Sequence, residues 1–164
     1  MTEKELEISN NLSYEDNQFA NEMGKLINLN NPQFYFRINL NPVPTQVFQL
    51  SVDFNTNFEN VVVIYYADNE KIYIPKYVEK NYTKDGAKVS HGIGFGENSK
   101  WNGKLIVAGF HKTTEPNPNS PWYLSPVKVI KQEIAPSGHH VIEFGFEDGT
   151  GWDFNAIRIT LWWE

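Results

Sequence analysis

The segment HVIEFGFEDGTGWDFNAIRITLWWE, residues 140–164, sets two apolar runs on either side of a short polar loop. In the second run Ile157, Ile159, Leu161 and Trp163 alternate with Arg158, Thr160 and Trp162. A period of two is the pattern of a strand buried on one face. The first run, HVIEFGF, is equally strand-like, so the pair reads as a hairpin closed by EDGTGWDFN. The same period recurs upstream from Phe34 in QFYFRINL, QVFQLSVDF, NVVVIYY, KIYIPKYV, GKLIVAGF and YLSPVKVIK. The turn-rich stretches NPVP, ADNE, KDGA, ENSKWNG, EPNPNSP and APSGH separate these runs. Val61 to Tyr66 is apolar throughout, which predicts a central strand covered on both faces. Many short strands with little helix predict an all-β fold, an antiparallel β-sandwich of jelly-roll or immunoglobulin-like type.

Only the N-terminal region departs from this period. Residues 1–14 are polar and read as a solvated tail, and 15–29 place Phe19, Met23, Leu26 and Ile27 at helical spacing. A short helix is expected there, capped by Asp16 and weakened by Gly24. It would plug one end of the fold or dock on a neighbouring subunit. The organisation is then an arm over residues 1–30 and one sandwich domain over 31–164, with no internal repeat.

Composition narrows the function classes. The formal charge is −6 and the arginines are Arg37 and Arg158 alone, which argues against a nucleic-acid binder. Without cysteine, disulfides, thiol catalysis and thiolate zinc sites are excluded. No apolar run approaches membrane-spanning length. MTEKELEISNNLSYED has no apolar leader, so cytoplasmic synthesis is expected, with signal-independent release as the route outward.

Catalytic patterns are scarce. GIGFG, residues 92–96, lacks the lysine and the following helix of a phosphate loop and reads as a turn or bulged strand. His91, His111, His139 and His140 show no metal-ligand spacing. Glu143 and Glu147 share strand parity, but spacing alone does not define a glycosidase pair. The expectation is a protein that is not an enzyme.

The aromatics carry more information. Trp101, Trp122, Tyr123 and Trp152 all stand in polar, turn-rich surroundings. A ring beside Asn, Asp and Lys suits a sugar, whose C–H face stacks while its hydroxyls hydrogen-bond. Such residues also serve as lids folded onto the ends of a sandwich.

The terminal loop adds a resemblance. EDGTGWDFNAIRITLWW is similar to the calcium loop of the small bacterial fucose/mannose-binding lectins, with Glu147, Asp148, Gly149, Thr150, Asp153, Phe154 and Asn155 at matching spacings over about the last twenty residues. The resemblance implies a β-sandwich lectin whose loop oxygens hold two calcium ions that bind sugar hydroxyls. Gly151 and Ala156 stand where two of the oxygen donors are expected, and the chain ends differently, at Glu164. Carried over residue by residue, the metal set reduces to Glu147, Asp153 and Asn155, enough for one weakly held calcium ion rather than the two-ion site.

The loop also resembles the ending of starch- and glycogen-binding modules, through Phe144, Phe146, Asp148, Gly149, Trp152, Asp153 and Asn155. That resemblance implies Trp152 stacking on a glucose ring with Asp153 and Asn155 bonding its hydroxyls, and no metal. A third reading is a plain hairpin, with Asp148 and Gly149 making the turn.

The leading expectation is a non-catalytic, carbohydrate-binding sandwich that recognises a glycan or polysaccharide. Its contacts would be Trp152, Asp153, Asn155, Trp101, Trp122 and Tyr123. No cofactor is required beyond one calcium ion at most, and a homo-oligomer would supply avidity. The alternatives are a self-assembling structural subunit, favoured by strand edges, and a toxin-like host-interaction module.

Overall fold

A computed structural model describes residues 12–39, 48–56, 58–67, 71–81, 88–93, 104–112, 121–138, 140–148, 154 and 156–163. Helix α1 spans Tyr14–Gly24 and is followed by a 3₁₀ turn at Pro32–Phe34. The strands are β1 (Phe36–Asn39), β2 (Phe48–Phe54), β3 (Asn60–Ala67), β4 (Ile72–Lys80), β5 (Lys88–Ile93), β6 (Lys104–His111), β7 (Tyr123–Leu124), β8 (Val127–Ile134), β9 (His140–Phe146) and β10 (Ile157–Trp163). All the pairings described are antiparallel.

One sheet runs β1-β6-β3-β4, with β7 pairing the far end of β6, and the other runs β5-β2-β10-β9-β8. The expected all-β sandwich is therefore the fold. The hairpin of the opening segment is β9 with β10, in the register Phe146↔Ile157 through His140↔Trp163. Ile157, Ile159 and Leu161 are buried, as their alternation requires.

Strand β3 is buried along its whole length. Its even-numbered residues Val62, Ile64 and Tyr66 join Phe144, Phe146 and Ile159 in the core between the sheets. Its odd-numbered residues Val61, Val63 and Tyr65 join Ile106 and Phe110 in a second core under α1. Gly109 of β6 leaves room for an aromatic between the sheets, because a Cβ there would meet Phe146 Cγ at 2.7 Å.

The helix is shorter and differently placed than its spacing implies. Its cap is Ser13, whose Oγ accepts from Asp16 N–H at 3.1 Å, so Asp16 lies inside the first turn. It lies on the outer face of the first sheet rather than plugging one end. Ala20 is fully buried there, and the Tyr65 hydroxyl donates to the Ala20 carbonyl at 2.7 Å. Leu26, expected on the apolar stripe, falls beyond the helix end at Gly24 and is exposed. Among the described residues no helix is long and apolar enough to cross a membrane.

Two strand expectations also change. YLSPVKVIK is not one strand but two, because Pro126 has no N–H for a ladder and the chain crosses between sheets at Ser125 and Pro126. Residues 88–93, with Gly92 inside, form β5 against β2.

Candidate functional site

The hairpin loop leaves β9 at the end of the sandwich where β3 begins and β6 finishes. The backbone of Glu147 is tied back by donating to the Pro126 carbonyl at 3.0 Å. Its carboxylate is buried, and Oε1 accepts from Phe154 N–H at 3.0 Å. Phe154 has a φ of +55°, a left-handed conformation uncommon for an aromatic residue. Its carbonyl accepts from Arg158 Nε at 2.9 Å, and Arg158 in turn pairs with Glu143 at 3.2 Å. Glu143 and Arg158 lie on the outer face of the second sheet, so Glu143 is an ion-pair partner there and does not share a buried site with Glu147.

Both ends of the loop are thus fixed to the scaffold. Gly145 explains how closely it lies on the sheet, since a Cβ at that position would stand 2.0 Å from the Phe154 carbonyl oxygen.

Asp148 is also buried, and its Oδ2 accepts from the Thr56 hydroxyl and from Asn60 Nδ2 at 3.2 Å. Asn60 heads β3 and is fully buried. Its N–H donates to Asn81 Oδ1 at 2.8 Å, while the side chains of Asn60 and Asn81 both donate to the Phe58 carbonyl. Asn60 Oδ1 has no hydrogen-bond partner among the described residues. Beside this network, the buried His111 places Nδ1 2.7 Å from Ser125 Oγ. Burial lowers the His111 pKa, while the nearby Asp148 and Glu147 carboxylates act in the opposite direction. Lys112 pairs with Glu59 at 3.0 Å across the same rim.

Sequence reasoning missed Thr56, Asn60, Asn81, His111 and Ser125. The legible signal was a polar residue bordering a long apolar run. Asn60 precedes VVVIYY and His111 follows KLIVAGF, so each strand carries its polar residue into the closed end of the sandwich.

Of the expected glycan contacts, Trp122 and Tyr123 fall among the described residues. Trp122 is half-buried in the helix-side core, edge-on to Phe19 with centroids 5.5 Å apart, and the Lys112 amine lies 4.9 Å from its ring. Tyr123 is 48% exposed and its ring lies 6.1 Å from His111, which places it at the loop end. Trp101, Trp152, Asp153 and Asn155 lie outside the described residues, as does Gly151.

Two of the oxygen-donor positions of the two-ion site that the resemblance implies hold Gly151 and Ala156, and Asp153 and Asn155 lie outside the described residues. Position 156 is a buried alanine, and the Glu147 carboxylate accepts a backbone hydrogen bond within the loop. Calcium requires about six to eight oxygen ligands. No group of three or more His, Asp or Glu side chains that could hold a metal is present among the described residues.

No family model matches this chain, and no curated protein matches it. Solved structures do. A lectin from Chromobacterium violaceum in complex with α-methyl-fucoside is 20% identical, with a TM-score of 0.50 over 78% of this chain and 95% of that one. The C-terminal domain of a Burkholderia cenocepacia lectin is 18% identical, with a TM-score of 0.52 over 78% and 94%. A high-affinity mannose-binding lectin from Ralstonia solanacearum is 18% identical, with a TM-score of 0.53 over 78% and 95%. At these identities the likeness establishes a shared sandwich fold.

Proposed function

We propose that this chain is a non-catalytic, carbohydrate-binding β-sandwich whose glycan site is built on the loop between β9 and β10. The observation that carries the reading is the likeness to three lectin structures, one holding a fucoside and one described as mannose-binding, each matched over nearly its full length. The loop that resembles their calcium loop is here anchored through Glu147 and Phe154, and Tyr123 stands exposed at the same end. In this reading Trp152 stacks on the sugar, Asp153 and Asn155 bond its hydroxyls, and Tyr123 extends the contact surface. Trp122 contributes least, because Phe19 and Lys112 already pack on its ring. Glu147 and Asp148 act as scaffold.

The test is a glycan array probed with the full chain in calcium and again in chelator. Binding to fucosylated or mannosylated glycans in both conditions is the expected result. Loss of all binding in chelator would restore a metal-bridged mechanism. Silence in both conditions would overturn the reading. Trp152→Ala is expected to weaken glycan binding by about tenfold or more, the effect of losing about 1.4 kcal/mol, and full retention would remove the residue from the site.

A further inference from the structure

We propose that β8 is an assembly edge that pairs, antiparallel, with β8 of a second copy of this chain. It ends the order β5-β2-β10-β9-β8 and is hydrogen-bonded to β9 on one side. An edge strand offers a row of backbone N–H and C=O groups to another chain. The 3₁₀ turn at Pro32–Phe34 approaches β8, yet residues 128–134 remain exposed. Val129, Ile130 and Ile134 are 42%, 38% and 66% exposed, an apolar content unusual for a solvent-facing edge.

The edge at β4 is protected by contrast. It contains Pro75 and α1 packs against it, whereas a register shift is common to both edges, in β4 against β3 and in β8 against β9 between Val129 and Lys131. The central part of β8 contains no proline.

The charge pattern selects the occupant and the register. Lys131 and Glu133 lie on one face of β8 and pair with each other at 3.1 Å. A two-fold axis through Gln132 sets Lys131 opposite the partner's Glu133, and Glu133 opposite the partner's Lys131. The two intrachain pairs then become a four-charge row of alternating sign. The regular stretch that this register uses runs from Lys131 to Ile134, beyond the register shift between Val129 and Lys131. Opposite charges directly across an antiparallel pair favour pairing, and like charges there oppose it. The segment is thus complementary to itself, and the result is one continuous sheet across the two copies. This inference stands independently of glycan binding.

The test is the mass of the full chain by sedimentation over a concentration series up to its solubility limit. The wild type is expected to dimerise reversibly. Lys131→Glu and Glu133→Lys each set like charges face to face in a homodimer, and each is expected to weaken dimerisation by about tenfold or more. An equimolar mixture of the two variants restores both attractions in a heterodimer and should recover wild-type assembly. Circular dichroism confirms that each variant is folded. A wild type that stays monomeric throughout, a dimer indifferent to both substitutions, or a mixture no better than its parents would each overturn the proposal.

Discussion

The two sheets are built from similar strands and meet water in opposite ways. In the first sheet β3 is buried on both faces and β6 nearly so, because α1 covers the side that the second sheet does not. In the second sheet one face is buried in the shared core and the other carries Asp53, Glu143, Arg158 and Thr160, with Phe154 of the hairpin loop lying against it at Gly145. The difference shows where tolerance and function can reside. A residue of β3 answers to two cores at once, whereas an outward residue of β10 answers to neither.

The largest test of this contrast is Tyr65→Ala. Tyr65 is 1% exposed, packs under Gly24 and holds the helix through its hydroxyl. Removing the ring and the hydrogen bond should cost about 3–5 kcal/mol in chemical denaturation. Thr160→Ala, on the open face of β10, should stay within about 0.5 kcal/mol of wild type. Equal effects at the two positions would break the comparison.

The second test addresses the place where the open face is locally covered. Gly145→Ala directs a methyl group into the Phe154 carbonyl, which is backbone and cannot rotate away. The loop must lift, and its bonds to Arg158 and Glu147 stretch. The expected cost is about 1–3 kcal/mol, read as a lowered Tm. A glycan site on this loop should weaken in the same variant. Unchanged stability would show that the loop does not rest on the sheet.

How far these features were legible in the sequence follows from the same contrast. Period-two alternation revealed β10 and its buried set, and the unbroken run at Val61 to Tyr66 announced a strand with two covered faces. The identity of the second cover was harder to read. Phe19 and Met23 announced a helix, yet the face it would occupy depends on strands 40 to 90 residues away. β5 was hidden because KVSHGI contains Ser90 and Gly92, which weaken a strand pattern that pairing with β2 overrides. In the site, the acids of the loop were conspicuous but their use was not. Whether Glu147 and Asp148 faced solvent, a metal or the scaffold depended on Thr56 and Asn60, about 90 residues earlier in the chain. Trp122 was read from its polar surroundings, whereas Phe19, from the N-terminal arm, supplies its packing partner.

The smallest expected effect compares one residue type across the two sheets. Lys131, on the edge of the second sheet, is half-exposed in an ion pair with Glu133. Lys76, on β4 of the first sheet, is buried with its amine 4.1 Å from the centre of the Tyr66 ring, and burial lowers its pKa to about 8. Between that value and the ordinary 10.5, the unfolded chain binds a proton that the folded chain has lost. Stability contributed by this group therefore rises with pH through the window and is absent below it. From pH 7 to pH 9 the gain should be roughly 1 kcal/mol. Tyrosine ionisation in the unfolded chain begins only near pH 10, so it lies above the interval compared. Subtracting the same curve for Lys76→Met isolates the amine, since methionine fills similar space and does not titrate. A difference curve that is flat from pH 7 to 9 would mean that the Lys76 amine reaches water as freely as that of Lys131, and that burial at this end of the first sheet stops short of β4.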